Sequence, residues 1–250
     1  MYRIAIPSYK RSHLINDKTL KMLIDDNKID PTLIDIFVAN EEERELYLKD
    51  VPRERFGNII VGVPCIGKQR NFIHYFYPEG QKILQVDDDI LGMQVRVNSK
   101  KLMKMDDLNI FITEMFNVCE MNGCKIWGVY PVDNPYFMSN KITFDLKYIA
   151  AGFMGIINEQ DKDLLVELED KEDFERSIKY FIKYKKVMRV EYVTMNTLYY
   201  KTEGGLQATR TLERIKMSAE YLASKYPQFC KMNTGKKGGF SEVRLINRPK

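Results

Sequence analysis

Apolar and polar positions along the chain fall into short alternating blocks. Tyr2–Ile6 is a strand-like run that stops at Pro7, and Leu14 to Ile24 then carries apolar residues at helical spacing. Ile34–Ala39 is a second β-rich run, followed by the charged helical stretch Glu41–Lys49. Asn58–Val63 reads as a third strand, closed by Pro64, and a helix is expected from Lys68 to about Tyr77. A fourth apolar run, Ile83 to Val86, ends abruptly in Asp87, Asp88 and Asp89. Strands alternating with helices predict an α/β fold, a doubly wound and mostly parallel sheet flanked by helices. Short right-handed crossovers would place consecutive units side by side.

Beyond the acidic triplet the pattern loosens. Leu108, Phe111, Ile112, Met115 and Cys119 form a core-facing helix stripe. Ile126–Val132 and Ile149–Asn158 look like strands. Phe174, Ile178, Phe181 and Met188 mark another helix, whose Lys179, Lys183 and Lys186 share a different face. Val190–Tyr200 is a last long β run, and Leu212, Ile215, Ala219 and Leu222 give a final helix. With no repeat, low-complexity linker or compositional break, a single domain is expected. Residues 1–200 would carry the site, and 201–250 would be a C-terminal helix and basic tail packed on it.

Composition changes this picture little. A chain of 250 residues, 44% hydrophobic and 30% charged, is long enough for one large core. The four cysteines, Cys65, Cys119, Cys124 and Cys230, show no C-x-x-C spacing. Structural zinc is therefore not expected, and buried reduced thiols are. Met1 leads straight into a strand-like run, and no 18-residue apolar segment follows. Both features predict a cytoplasmic protein without a membrane span. Net charge is only +4, but from Lys231 onward six basic residues (Lys231, Lys236, Lys237, Arg244, Arg248, Lys250) face one acid, Glu242. Such a tail suits a polyanion partner or simple solvation.

The chemistry concentrates at strand ends. Three adjacent carboxylates repel and are costly to desolvate unless a cation sits among them, such as a hard divalent ion carrying a phosphorylated substrate. Ligands of open α/β sheets bind at the carboxyl ends of the strands, where Asp87–Asp89 would lie. I-P-S-Y-K-R follows the first strand. Its Tyr9 could stack on a flat base, and Lys10 and Arg11 could meet phosphate oxygens. Alternatively it is a plain turn in which Ser8 or Ser12 caps a helix. Asn40 and Glu41 end the second strand, where Asn40 reads either as a contact to a nucleobase or ribose or as a helix cap. G-K-Q-R-N opens a helix with Lys68 and Arg70 beside its N-terminus, an arrangement suited to a diphosphate. It lacks the P-loop spacing, which disfavours a P-loop nucleotide hydrolase. Gly152 and Gly155 in A-A-G-F-M-G allow close backbone approach. Glu172 and Asp173 in K-E-D-F-E-R-S open a helix, where the dipole alone would favour them.

Taken in order, I-P-S-Y-K-R, G-K-Q-R-N, V-D-D-D-I, A-G-F-M-G and K-E-D-F-E-R-S resemble the nucleotide-sugar glycosyltransferases of the GT-A fold, across residues 2–200. Within that fold the combination is most similar to the TET-associated DNA-base glycosyltransferases of phages and other viruses. The resemblance implies transfer of a hexose, glucose by preference, from a UDP-sugar to a hydroxymethylated pyrimidine in DNA, with Mn2+ or Mg2+ as cofactor. For a viral protein the location would be the host cytoplasm. Residue by residue it implies a donor site of Pro7, Ser8, Tyr9, Arg11, Asn40, Lys68, Arg70, Asp87, Asp88, Gly152 and Gly155. Asp87 and Asp89 would be metal ligands. Asp173 would be the base, with Glu172 beside it, and Lys236, Lys237, Lys183 and Lys186 would contact nucleic acid. One departure stands out: many such enzymes supply a third metal ligand, often His, near the C-terminus, and the only histidines here are His13 and His74. Two other readings compete, a carbohydrate acceptor and a nucleic-acid-binding module without catalysis.

Overall fold

The computed structural model describes residues 1–197, 211–233 and 242–246. Among them, ten strands form one sheet whose path runs β3-β2-β1-β4-β9-β7-β10-β5-β6, with β8 also pairing β10. The strands are β1 (Tyr2–Pro7), β2 (Ile34–Val38), β3 (Asn58–Val61), β4 (Lys82–Val86), β5 (Ile90–Asn98), β6 (Lys101–Lys104), β7 (Ile126–Tyr130), β8 (Ile142–Thr143), β9 (Phe153–Ile157) and β10 (Met188–Thr197). The first four pair in parallel, as the alternating pattern predicts. β9 then runs antiparallel between β4 and β7, so its N-terminal end meets the carboxyl end of β4. β5 and β6 form a hairpin added antiparallel to β10. The sequence reading contains no strand there, because I-L-G-M-Q-V-R-V-N alternates weakly and is only half-buried.

Period-two alternation sorts the side chains. Tyr2, Ile4 and Ile6 of β1 face one core, shared with Ile15, Leu20 and Leu23 and with Phe111, Ile112 and Met115 of α4 (Leu108–Met121). Ala5 points the other way, to Phe37, Ile73 and Tyr77 beneath α3 (Ile66–Phe76). Asp35 is the polar exception within β2. It is buried but takes Arg3, Asn58 and the Tyr77 hydroxyl, so its charge is satisfied. The first helical segment begins as α1 (Ser12–Ile15) and continues as a π-helical run, Asn16–Asp26. α2 (Glu41–Asp50) follows β2, and α5 (Glu172–Tyr184) packs beneath β7 and β9.

The described part of the C-terminal stretch is α6 (Leu212–Lys225) and the hairpin β11 (Cys230–Asn233) with β12 (Glu242–Leu245). Ala219, Leu222, Cys230 and Val243 cluster with Ile178 of α5. Lys236 and Lys237 lie outside the described residues. Among the described residues no helix is long and apolar enough to cross a membrane. The cysteines are free thiols; Cys119, Cys124 and Cys230 are buried and Cys65 is exposed.

Candidate active site

The carboxyl ends of β1, β2, β3 and β4 share one sheet edge, and the N-terminal end of β9 joins them there. Asp87–Asp89 leave β4 at this edge. The Asp87 amide donates to the Gly152 carbonyl at 3.0 Å. Thr19, on the π-helical run, clamps the turn from beneath: its hydroxyl donates to the Asp87 carbonyl at 2.7 Å and accepts from the Ile90 amide at 2.9 Å. Thr197, at the end of β10, donates to Asp89 Oδ1 at 3.1 Å.

Two arginines relieve the repulsion among the three carboxylates. Arg11 reaches Asp88 Oδ1 at 2.6 Å and Asp89 Oδ2 at 3.2 Å, and Arg70 reaches Asp87 Oδ1 at 2.6 Å. The three side chains differ sharply in access: Asp87 is 40% exposed, Asp89 17% and Asp88 5%. Asp88 is therefore structural and does not present itself to a donor. Ser8 donates to its second oxygen. With its proton so committed, Ser8 must accept from the Tyr47 hydroxyl at 2.5 Å, which in turn accepts from the Arg11 amide at 3.3 Å. Ser8, Arg11 and Asp88, expected as donor contacts, thus hold the loop after β1 in shape. Burial pushes the Asp88 carboxyl up to about 6 despite Arg11. Burial, and then Asp87, push Asp89 up as well.

Arg70 also departs from expectation. It is 1% exposed, so it binds carboxylates inside the protein and offers no free guanidinium to a diphosphate. Besides Asp87 it donates to Gln85 Oε1 at 2.8 Å, and its Nε lies 2.9 Å from Glu172 Oε1, an ion-pair distance without hydrogen-bond alignment. The other Glu172 oxygen meets Arg176 at 3.2 Å. Locked between two arginines and buried, Glu172 is unsuited to proton transfer. Its place is to tie the start of α5 to β4 through Arg70.

Asp173, the next residue, is differently placed. Its Oδ2 accepts from the Tyr148 hydroxyl at 2.5 Å and its Oδ1 from the Phe174 amide at 3.0 Å. Tyr148 stacks on Phe174 with ring centroids 4.3 Å apart. Burial first, and then the neighbouring Glu172 charge, push the Asp173 carboxyl up to about 6. A carboxyl tuned in this direction suits a general base near neutrality. The left-handed backbone at Lys171 (φ 64°) starts α5 so that both acids occupy its first turn.

Other expected residues divide. Gly152 lies at the site: a Cβ there would stand 2.9 Å from Met195 Sδ and 3.3 Å from Asp87 Oδ2. Gly155 does not line a sugar pocket. It sits mid-strand beneath Trp127, whose ring nitrogen would be 1.9 Å from a Cβ, so it exists to admit that indole. Pro7 ends β1, and Tyr9 and Lys68 are exposed at the edge, with the Lys10 ammonium 5.2 Å from the Tyr9 ring. Asn40 caps α2, its side chain accepting from the Glu43 amide at 2.9 Å, so the capping alternative holds. The N-terminus of α3 begins two residues earlier than expected and already receives a carboxylate, Glu169 Oε2, at the Gly67 amide.

Of the expected lysine stripe, Lys179 and Lys183 lie on α5 and face carboxylates, while Lys186 falls beyond the end of the helix. Lys183 pairs with Glu159 at 2.6 Å and Asp161 at 2.7 Å, Lys179 lies 3.9 Å from Glu167 and Glu175, and Lys186 donates to the Asn122 carbonyl. A nucleic-acid role for Lys183 loses its basis, since its charge is answered within the protein, whereas exposed Lys186 meets only a backbone carbonyl and keeps its charge uncompensated among the described residues. Sequence reasoning missed Tyr47, Tyr148, Thr19 and Thr197. All four act through contacts to residues 25 or more positions away, which no local pattern signals.

No protein-family model matches this sequence, and no curated protein does. Solved structures do match the fold. Staphylococcus aureus TarS (residues 1–349, in complex with UDP-GlcNAc) superposes with a TM-score of 0.54 at 12% identity, over 89% of this chain and 66% of that one. A mycobacterial protein gives 0.51 at 8% identity, over 100% and 84%. Glucosyl-3-phosphoglycerate synthase from Mycobacterium tuberculosis, in complex with phosphoglyceric acid, gives 0.51 at 9% identity, over 93% and 83%. The chain spans less than two thirds of TarS, and only 39% of its longer form. The fold is thus the GT-A fold of nucleotide-sugar glycosyltransferases.

Proposed function

We propose that this chain is a glycosyltransferase that moves a hexose, glucose by preference, from a UDP-sugar to the hydroxymethyl group of a DNA pyrimidine. The observation that carries the enzyme class is the run Asp87–Arg70–Glu172, which joins the accessible acid after β4 to the helix turn bearing Asp173. The UDP-GlcNAc complex of TarS, on the same fold, supports a UDP-sugar donor. The DNA acceptor rests on the order of the sequence motifs alone.

Asp87 and Asp89 fit a hard divalent cation only as two carboxylate ligands, with donor diphosphate oxygens and water completing the shell. Among the described residues no group of three or more His, Cys, Asp or Glu side chains could hold a metal. Bound there, Mn2+ or Mg2+ would neutralise the departing diphosphate. Exposed Lys68 adds positive charge at the same edge, and Tyr9 offers its ring to the uracil. Asp173 takes the proton from the acceptor hydroxyl as that oxygen bonds to the sugar C1 and the C1–diphosphate bond breaks. Tyr148 and the Phe174 amide fix the carboxylate in place.

Two outcomes follow from this arrangement. Asp87→Asn and Asp89→Asn should each lower transfer by ~10²–10³ without unfolding the chain, the usual cost of losing one charge-stabilising group. Full activity in both variants with added manganese or magnesium would remove the metal assignment. Second, a base held up to about 6 is protonated below that pH. Acceptor kcat/KM should therefore rise with pH through that region and level above it, and a profile flat there would argue against Asp173.

The reading itself is tested by mass spectrometry of hydroxymethylcytosine DNA and hydroxymethyluracil DNA after incubation with UDP-sugars and a divalent cation. A gain of one hexose per modified base is expected. Donor hydrolysis with unmodified DNA would keep the enzyme and move the acceptor to carbohydrate. Salt-sensitive DNA binding without donor turnover would leave a binding module.

A further inference from the structure

Beside Tyr148 the protein opens into a cleft of about 330 Å³, walled by the α5 start, the segment before β9, β10 and the C-terminal hairpin. Tyr148 and Phe174 form its aromatic wall, and Lys147, Arg189, Asn233 and Arg244 supply its polar groups. Among the described residues no carboxylate lines it. Arg189 is neutralised by Glu191 at 2.9 Å. Lys147 and Arg244 pair with no carboxylate among the described residues, so the cleft carries uncompensated positive charge.

The hairpin sharpens the point. In its register Lys231 stands directly opposite Arg244. Like charges facing each other across an antiparallel pair are destabilising, and an anion between them reverses the sign. Arg244 and Lys231 also line an adjoining hollow of about 210 Å³. The cationic lining and the opposed cations, which share Arg244, thus point to the same missing charge. The cleft is also one hydrogen bond from Asp173, because its wall residue Tyr148 donates to that carboxylate.

We propose that this cleft is an acceptor subsite that binds a phosphate group, with Lys147 and Arg244 as its charged contacts and the Tyr148–Phe174 stack beside it. The site holds the acceptor by an anionic handle while the hydroxyl to be glycosylated lies toward Asp173. This assignment rests on the glycosyltransferase reading for its purpose but not for its measurement. The phosphate comes either from a small phosphorylated acceptor or from the phosphodiester of a nucleic-acid strand, and the same chemistry serves both.

The test is equilibrium titration of the full chain with inorganic phosphate and, separately, with a short oligonucleotide carrying hydroxymethylcytosine. The wild type is compared with Lys147→Gln, Arg244→Gln and the control Lys100→Gln, whose lysine lies in the β5–β6 turn and does not line the cleft. Each cleft variant should bind the phosphate probe about ten- to hundredfold more weakly, the loss expected of one charge-assisted hydrogen bond. UDP affinity and the melting temperature should not move, and the control should match wild type. Weakening with inorganic phosphate alone assigns a small phosphorylated acceptor; weakening with the oligonucleotide as well assigns a phosphodiester. Equal affinity in wild type and both cleft variants overturns the subsite, as does a parallel loss of UDP affinity, which would make the cleft part of the donor site. These titrations need no turnover. A failed transfer assay would therefore sink the glycosyltransferase reading while leaving the phosphate result to decide the cleft.

Discussion

Replacing Asp173 with Asn should abolish sugar transfer while leaving UDP-sugar affinity close to wild type. The substitution keeps the shape of the side chain and an oxygen to accept from Tyr148 or from the Phe174 amide, so the turn that starts α5 should persist. What it removes is the capacity to take a proton. General-base catalysis contributes typically ~10²–10⁴ in rate, and the loss should fall on kcat, because a base acts in the transition state more than on bound donor. Calorimetry with UDP and a single-turnover transfer assay separate the two quantities. Lost donor affinity, or persistent transfer, would move the role to another acid. Glu172 is a poor substitute, since Arg70 and Arg176 already hold both its oxygens. Glu169 is the next candidate, though its carboxylate is engaged by the Gly67 amide.

Much of the parallel half of the sheet was legible because three of its strands, β1, β2 and β4, are largely buried on both faces. Ile34–Val38 is buried at every position, and such runs separated by helical spacing have few other readings. The acidic triplet and the Glu172–Asp173 pair stood out for a related reason: charges that interrupt apolar runs need a partner. The identity of that partner was not legible. The sequence reading looked for a cation from outside, whereas Arg11 and Arg70 come from 77 and 17 residues away. An arginine read as a diphosphate contact and one that pairs internally look the same in one dimension, and only burial tells them apart. The direction of β9 was equally hidden, since A-A-G-F-M-G carries the same pattern whichever way the strand runs. Gly155 makes the lesson concrete. A glycine in a strand signals close approach, and here the approaching group is the indole of Trp127 and not a sugar.

Removal of the Arg70 guanidinium should be the most damaging single change to stability at this edge. Arg70→Met retains most of the apolar stem and deletes a charge that faces Asp87 and Glu172 inside the protein. Taking one partner from a buried pair typically costs ~3–5 kcal/mol, because the other charge is left uncompensated. Two features place this site at the low end of that range. Asp87 is 40% exposed and can return to water, and Glu172 keeps Arg176. A loss of about 3 kcal/mol corresponds to a fall of roughly 6–12 °C in Tm for a chain of this size. The double variant Arg70→Met with Glu172→Gln should recover part of the fall, since the amide removes the buried charge that the arginine balanced. The same double variant should remain slow in transfer, because Asp87 still lacks the contact that holds its Oδ1. Thermal denaturation of the wild type and of both variants decides the matter. A single variant that melts with the wild type would show that Arg70 does not bind the edge together, and a double variant no more stable than the single would show that Glu172 is not the charge it answers.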